Sequence, residues 1–359
     1  MLVGIDGRKV PGATGLGPLQ KLDVISGLGL DGVLFRTVFD MDPDLDPDRL
    51  RRIRDRADEL GLYLETGLGN VNPYAMAEHP HLRRTGDGDT MLGLTRAVTA
   101  AAALGCRELW AVTGGFKPYP GRFAYDRFRT DVTWSAQLAA TTRLLERLAP
   151  VCRDLGVHLN LETHEEITSF ELVRIVESVG PDVLGLTYDT TNPIQRGENP
   201  LDTARRIAPY VRQTHVKDVV LSLTPQGLQY QQVPVGQGVV DVPAILDEVR
   251  AAGSRPRLSL EAMTSARDSG AHEGQPHPHL QPILVDVFDA TWHAEHRDLT
   301  AAELSRTLQL GLLGNARVAD GTARPLAQVA AAPFGAAEAE EFVRASAGFL
   351  RALDRAGAA

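Results

Sequence analysis

The chain has 359 residues, of which 43% are hydrophobic, 23% charged and 6% aromatic. This composition is typical of a globular protein and excludes a fibrous or disordered chain. The 46 acidic and 37 basic residues give a net charge of -9, and such a surface repels nucleic acid and anionic lipid. We therefore expect neither nucleic acid nor a membrane among the partners.

Cysteine content and the N-terminus indicate a cellular compartment. Cys106 and Cys152 are the two cysteines, too few for a disulfide framework, which is typical of a reducing environment. The N-terminal residues 1–6 place an acid at position six and contain no basic region followed by an apolar stretch, unlike a signal peptide. No apolar run approaches the roughly 18 residues that cross a bilayer. These features predict a cytoplasmic protein.

Short apolar runs of strand length recur along the first 263 residues, and most are followed by a segment with helical periodicity. The eight runs span residues 2–6, 32–36, 61–66, 107–113, 157–163, 183–188, 211–216 and 257–262. Because each crossover helix covers the sheet it leaves, these strands form a parallel sheet buried on both faces. Eight repeats predict a (β/α)8 TIM barrel over residues 1–263. A doubly wound open sheet is the alternative, but no Gly-x-Gly-x-x-Gly follows an early strand to support a dinucleotide site.

Capping residues mark where several helices begin and end. Asp46 before Pro47 is typical of a helix start, and Asp131 precedes a long amphipathic stretch that Gly156 ends. Thr168 or Ser169 is a candidate cap for the helix that follows the fifth strand.

The pattern changes after Glu261. Five histidines follow in a stretch with prolines and glycines, namely His272, His277, His279, His293 and His296. We interpret them as solvent-exposed loop histidines rather than metal ligands. Alanine-rich helical segments near 300–313 and 336–356 predict a C-terminal helical extension, residues 264–359, packed on the barrel. Its apolar helical spacing predicts a cover for the active-site mouth or a subunit contact in a homo-dimer or tetramer.

Four side chains that suit metal binding follow successive predicted strands, where the catalytic groups of a parallel barrel lie. The fifth to eighth strands end in Glu162, Asp189, His215 and Glu261. An acid at a strand end also caps the next helix, but capping does not explain His215. Carboxylate and imidazole ligands together suit Mn²⁺, Mg²⁺, Co²⁺ or Zn²⁺. The sequence therefore predicts one divalent metal ion, with Mn²⁺ preferred.

Other polar and aromatic residues near the strand ends are candidates for the substrate pocket. Lys217 is a candidate for stabilising an oxyanion, with an ion pair to the adjacent Asp218 as the alternative. Asp218 is itself a candidate substrate contact. Glu65, at the end of the third predicted strand, is a candidate pocket residue. Trp110 and Phe116 are candidates for an apolar wall against a sugar face, with core packing as the alternative.

The four metal-binding candidates carry a family resemblance, together with Thr-His-Val-Lys-Asp at 214–218 and Gly-Gln-Gly-Val-Val-Asp at 236–241. They resemble the xylose-isomerase-like TIM-barrel superfamily and, within it, the sugar phosphate isomerase/epimerase group. That group includes ketose 3-epimerases, hydroxypyruvate isomerases, inosose dehydratases and dehydroshikimate dehydratases. The resemblance covers residues 1–263 and is specific from the fifth strand onward. It implies a metal held by Glu162, Asp189, His215 and Glu261, with substrate oxygens completing the coordination.

Two positions depart from the ketose epimerases of that group. Those enzymes tend to have His three residues after the metal Asp and Arg six residues after the metal His, where this chain has Asn192 and Leu221. Asn192 is accordingly a candidate substrate contact in place of the histidine of those epimerases. His164 lies two residues after the metal Glu, and this Glu-x-His resembles the large subunits of bacterial C-glycoside deglycosidases. Those subunits eliminate an aglycone from a 3-oxo-sugar, and the resemblance implies a small second subunit.

The predicted reaction begins with removal of a proton next to a carbonyl, since a divalent ion beside that carbonyl acidifies the C–H bond. Glu162 and Glu261 lie across the barrel mouth from each other and are the predicted acid/base pair, with Lys217 assisting. The sequence thus predicts an isomerase or epimerase of a sugar or keto-sugar. The alternative is a lyase in which His164 is the base. A non-catalytic sugar-binding barrel is a third hypothesis.

Overall fold

The computed structural model describes residues 1–75, 80–115, 117, 121–263 and 282–357. In chain order the strands are β1 (Val3–Asp6), β2 (Gly32–Leu34), β3 (Tyr63–Asn70), β4 (Glu108–Val112), β5 (His158–Glu162), β6 (Leu184–Asp189), β7 (Val211–Val216), β8 (Asp218–Thr224), β9 (Gly227–Val233), β10 (Leu258–Leu260) and β11 (Ile283–Val285). Eight of them pair in parallel and close into a barrel in the order β1-β10-β7-β6-β5-β4-β3-β2. The predicted (β/α)8 barrel is therefore confirmed, and each apolar run overlaps one barrel strand, although β3 and β6 extend beyond their runs.

Helices surround this barrel and bury its outer face. They are α1 (Pro18–Gly27), α2 (Pro47–Glu59), α3 (Pro80–Thr85), α4 (Thr90–Ala103), α5 (Trp134–Leu155), α6 (Ser169–Val179), α7 (Pro200–Ile207), α8 (Val242–Ala251), α9 (Ala290–Ala294), α10 (Ala301–Ala319), α11 (Leu326–Ala331) and α12 (Ala336–Gly357). Among the described residues, no helix combines the length and apolar character of a membrane-spanning segment.

Helix caps agree with the sequence at two of the three predicted positions. Asp46 caps α2 and accepts a hydrogen bond from the Arg49 backbone N–H at 2.8 Å, while Thr168 caps α6. At α5 the cap is Thr133 rather than Asp131. The hydroxyl of Thr133 accepts from a backbone N–H of the first turn, whereas the Asp131 carboxylate pairs with Arg129.

A small antiparallel sheet, which the sequence analysis did not predict, has two strands inserted between β7 and its helix and a third, β11, that follows β10. β8 and β9 form a hairpin, and β11 pairs with β9. Helix α10 packs on β8, where Gly314 allows the approach, since a Cβ on that residue would lie 1.8 Å from the Leu221 carbonyl oxygen. The sheet thereby joins the chain beyond residue 282 to the C-terminal edge of the barrel.

The described part of the C-terminal extension packs on the barrel. Helix α12 lies against β1 and β10, the position of the eighth helix in a (β/α)8 barrel. The Ser346 hydroxyl accepts a hydrogen bond from the Val235 backbone N–H at 3.1 Å, and the Asp354 carboxylate lies 2.6 Å from the N-terminal amino group. The division of the chain at residues 263 and 264 stays a prediction.

The C-terminal histidines do not share one environment. His272, His277 and His279 lie outside the described residues. His293 is exposed, as expected. His296 is buried, contrary to the expectation of an exposed loop, because its ring stacks on Trp292 at a centroid distance of 3.8 Å.

Candidate metal centre

The structure brings the four predicted metal ligands together at the C-terminal edge of the barrel. Glu162 and Asp189 end β5 and β6, His215 lies in β7, and Glu261 directly follows β10. These four strands are neighbours in the barrel. Each residue offers one ligand atom, these atoms lie within 4.8 Å of one another, and all four side chains are buried.

Neighbouring groups hold the carboxylates in place. The Trp110 indole N–H donates to Glu162 Oε2 at 3.0 Å, and Glu162 Oε1 lies 2.9 Å from His215 Nδ1. Asp189 Oδ1 accepts from the backbone N–H groups of Thr191 and Asn192, both at 2.9 Å. These contacts fix Glu162 and Asp189 within the protein itself, so the ligand arrangement does not depend on a bound ion.

Cationic side chains surround the Glu261 carboxylate. Lys217 Nζ lies 3.0 Å from Glu261 Oε2 and 2.9 Å from Asp189 Oδ2. The Arg36 guanidinium lies 2.8 Å from Glu261 Oε1 and also binds the Asp6 carboxylate at 2.6 Å. Burial opposes ionisation of Glu261, but Lys217 and Arg36 outweigh it and hold its pKa well below the ordinary value. Glu261 is therefore a carboxylate at neutral pH.

Arg36 and Lys9 are components of this site that the sequence analysis missed. Lys9 follows β1, Arg36 follows β2, and the Lys9 ammonium lies 3.9 Å from Glu261 Oε1. Burial lowers the pKa of Lys9. Both residues come just after a strand, and that position was the signal that could have identified them.

The donor set fits a divalent cation. Three carboxylates and an imidazole converge within 4.8 Å, and like charges so close together require a positive charge between them. In the structure, the Lys217 ammonium lies between two of these carboxylates. Burial raises the pKa of Asp189 to about 6 even though Lys217 opposes this. Oxygen donors with a single imidazole suit Mn²⁺ or Mg²⁺ better than a soft ion.

His164 lies beside the centre and is paired with a carboxylate. Its Nδ1 is 2.5 Å from Glu166 Oε2, and Glu166 Oε1 accepts from the Thr113 hydroxyl at 2.7 Å. Burial disfavours the imidazolium, but the Glu166 carboxylate outweighs it and raises the pKa of His164 to about 10. At neutral pH His164 therefore carries a proton, which argues against its predicted role as a base.

Replacing Glu166 by glutamine should lower the pKa of His164 toward its ordinary value near 6.5, because the amide carries no charge. In the wild type, the pairing stabilises the protein fully below about pH 6.5, and this contribution is lost as the pH rises through about 10. An NMR titration of the imidazole measures the shift, with the exposed Glu146→Gln as the control. An unchanged His164 pKa in Glu166→Gln would contradict the pairing.

Three further predicted residues lie at the centre, and each of them makes contacts other than those expected. Asn192 Oδ1 accepts from Lys217 Nζ at 3.3 Å, so it positions that lysine. Lys217 pairs with Asp189 and Glu261 rather than with the adjacent Asp218. Trp110 is buried and donates to Glu162, which makes it a support for that carboxylate. Phe116 lies outside the described residues.

Two predicted substrate contacts do not reach the centre. Glu65 lies toward the N-terminal end of the barrel, 3.3 Å from the Arg257 guanidinium, because β3 continues for five residues beyond it. The Asp218 carboxylate accepts from four backbone N–H groups, those of Val219, Gly236, Gly238 and Val240. Since its lone pairs accept these four hydrogen bonds, Asp218 stabilises the loop after β9 and does not contact a substrate.

The sequence and the fold were compared with known proteins. The chain is 34% identical over 94 residues to the uncharacterized protein YihM of Escherichia coli, 26% of this chain and 29% of that protein. It is 24% identical over 244 residues to the 3-oxo-isoapionate decarboxylase of Pectobacterium atrosepticum, 67% of this chain and 75% of that enzyme. A D-psicose 3-epimerase structure matches with a TM-score of 0.56 and 18% identity, over 75% of this chain and 88% of the other.

A family model described as "Xylose isomerase-like TIM barrel" matches residues 22–278. This match spans seven of the eight barrel strands, all four candidate ligands and the β8–β9 hairpin. It confirms the resemblance drawn from the strand-end residues. The chain belongs to the xylose isomerase-like TIM-barrel family.

Proposed function

We propose that this protein is a divalent-metal-dependent isomerase or epimerase of a sugar or keto-sugar, acting by proton removal next to a carbonyl. The chain is an enzyme of its superfamily, as its epimerase and decarboxylase relatives indicate. The observation that carries the proposal is the convergence of Glu162, Asp189, His215 and Glu261.

These four residues would hold the metal, which when bound draws electron density from the substrate carbonyl and acidifies the neighbouring C–H bond. Glu162 and Glu261 reach the centre from strands that are not neighbours, so they approach a substrate from different sides. Both are ionised at neutral pH, because His215 lowers the pKa of Glu162 to about 2 despite its burial and cations surround Glu261.

One carboxylate accepts the proton in this mechanism. If the same group returns the proton to the adjacent carbon, the product is an isomer. If the other carboxylate instead delivers a proton to the original carbon from the opposite face, the product is an epimer. The Lys217 ammonium, 3.0 Å from Glu261 Oε2, stabilises negative charge that develops on the substrate oxygens.

A lyase reaction is the second candidate, and the His164–Glu166 pair favours it. A protonated imidazole beside the centre can donate a proton to a departing group once the enediolate has formed. In this form of the hypothesis His164 is the acid and a carboxylate is the base. The relative that decarboxylates a 3-oxo acid shows that bond cleavage occurs among similar chains.

Several finer points are part of the proposal. We expect Mn²⁺ as the metal, with Mg²⁺, Co²⁺ or Zn²⁺ as alternatives, since the ligands alone do not select among them. We also expect a cytoplasmic homo-dimer or tetramer. A small second subunit would be required only by a C-glycoside deglycosidase.

Solvent exchange tests the shared first step. The Mn²⁺-loaded protein is incubated in deuterated water with ketoses and 3-oxo-glycosides, and deuterium at the carbon next to the carbonyl is measured by mass spectrometry and NMR. We expect uptake with at least one compound, and product analysis then separates a rearranged sugar from an eliminated fragment. Absence of uptake across the panel would favour the non-catalytic sugar-binding barrel.

A further inference from the structure

Lys9 differs from the other cations around Glu261. Arg36 also binds Asp6, and Lys217 also binds Asp189. Among the described residues, the single carboxylate oxygen within 4.0 Å of Lys9 Nζ belongs to Glu261, at 3.9 Å. That distance is too long for a hydrogen bond. Lys9 thus has an ammonium group whose hydrogen-bonding capacity is unused by the described residues.

The Lys9 side chain lies beside Glu261 and keeps some exposure to solvent. It retains 14% exposure, whereas Asp189 and His215 are fully buried. Its electrostatic neighbours are Glu261, Arg36, Asp6 and Lys217, so it lies on the same side of the centre as Glu261. A ligand bound against the Glu261 carboxylate would therefore lie within reach of this ammonium.

A bound divalent ion would increase the positive charge at this position. Glu261 would then share its negative charge between the ion and three cationic side chains. Arg36 and Lys217 keep their second carboxylates, whereas Lys9 has none among the residues that the structure describes. A mostly buried ammonium without a hydrogen-bonded anion is unfavourable, so the loaded centre would favour a further negative group next to Lys9.

We propose that Lys9 binds a carboxylate of the substrate, which makes the substrate a keto-sugar acid rather than a neutral sugar. This inference rests on the proposed function and specifies its substrate class. A single compact ammonium suits a monoanionic carboxylate, while the guanidinium fork that would best bind a phosphate is already occupied by Asp6 and Glu261. The 3.9 Å separation from Glu261 places that carboxylate close to the reacting carbons.

The test compares two ligands that share one skeleton. 2-Keto-D-gluconate carries a carboxylate where D-fructose carries its C1 hydroxymethyl group, and calorimetry measures the Kd of each for the Mn²⁺-loaded protein. The ratio of the two Kd values is then compared among wild type, Lys9→Met, Lys9→Arg and Lys21→Met. Lys21 is the control because its ammonium donates to the Gly7 carbonyl at 3.1 Å and touches none of the metal ligands.

The wild type and Lys21→Met should bind the acid about 10- to 100-fold more tightly than the ketose, as expected of a charge-assisted hydrogen bond. Lys9→Met should lose most of that preference, and Lys9→Arg should keep it. Equal affinities in the wild type would overturn the proposal. So would a preference that survives in Lys9→Met, since the carboxylate would then bind the metal alone. Calorimetry requires no turnover, so a failure to exchange deuterium would count against the proposed reaction and leave this result interpretable.

Discussion

Replacing Glu162 by glutamine should remove most of the bound metal and lower turnover by about 10²- to 10⁴-fold, while the barrel remains folded. The carboxylate is a metal ligand and a candidate base, so the substitution affects both functions. An amide oxygen is a weaker ligand for a hard cation and does not take up a proton. The amide still accepts a hydrogen bond from Trp110, whose indole N–H lies 3.0 Å from Glu162 Oε2, and therefore the local packing is kept.

Metal analysis of the purified variant and steady-state kinetics measure the two effects separately. Circular dichroism checks that the barrel is intact. Glu146→Gln is the matched control, because Glu146 is an exposed glutamate on α5 and should leave metal content and turnover unchanged. Normal occupancy together with normal turnover in Glu162→Gln would refute the role of Glu162.

Replacing Lys217 by methionine should destabilise the metal-free protein by about 3 to 5 kcal/mol, the usual cost of removing one partner of a buried ion pair. Asp189 and Glu261 would face each other without the ammonium that lies 2.9 Å and 3.0 Å from them. These two carboxylates outweigh the burial of Lys217 and raise its pKa. The contribution is therefore present throughout the neutral range and is lost only at strongly alkaline pH.

A divalent ion should replace the missing charge in this variant. Denaturant unfolding is measured with a chelator and with Mn²⁺, and the added stability on metal binding should be larger in Lys217→Met than in the wild type. Lys21→Met is the control, with a small loss that does not depend on metal. An equal loss of stability in both conditions would show that Lys217 contributes through packing and not through its charge.

The strand-end residues were predictable because parallel strands place their carboxyl ends at one edge of the barrel. The ends of the last four barrel strands in the sequence were therefore enough to predict that Glu162, Asp189, His215 and Glu261 lie close together. Arg36 and Lys9 follow β2 and β1, to which the same rule applies, but the sequence analysis proposed no site residue after these two strands.

The sequence predictions were wrong where tertiary structure determines the end of a strand or the groups that a carboxylate binds. The third apolar run predicts a strand that ends near residue 66, but β3 continues to Asn70 through a register shift between Gly67 and Gly69. Glu65 therefore lies inside the barrel near Arg257. Asp218 begins a hairpin whose partner strand lies further along the chain, and a local pattern does not show that its carboxylate binds the backbone of a distant loop.

Deuterium uptake by the wild-type protein, before and after its metal is removed, tests the central claim most directly. The same substrate is incubated in deuterated water with chelator-treated protein, with that protein after Mn²⁺ is restored, and with Mn²⁺-treated Glu162→Gln. We expect uptake next to the carbonyl with the restored protein, and little or none in the other two samples. Undiminished uptake after metal removal, or in Glu162→Gln, would contradict a metal-assisted proton transfer at this centre.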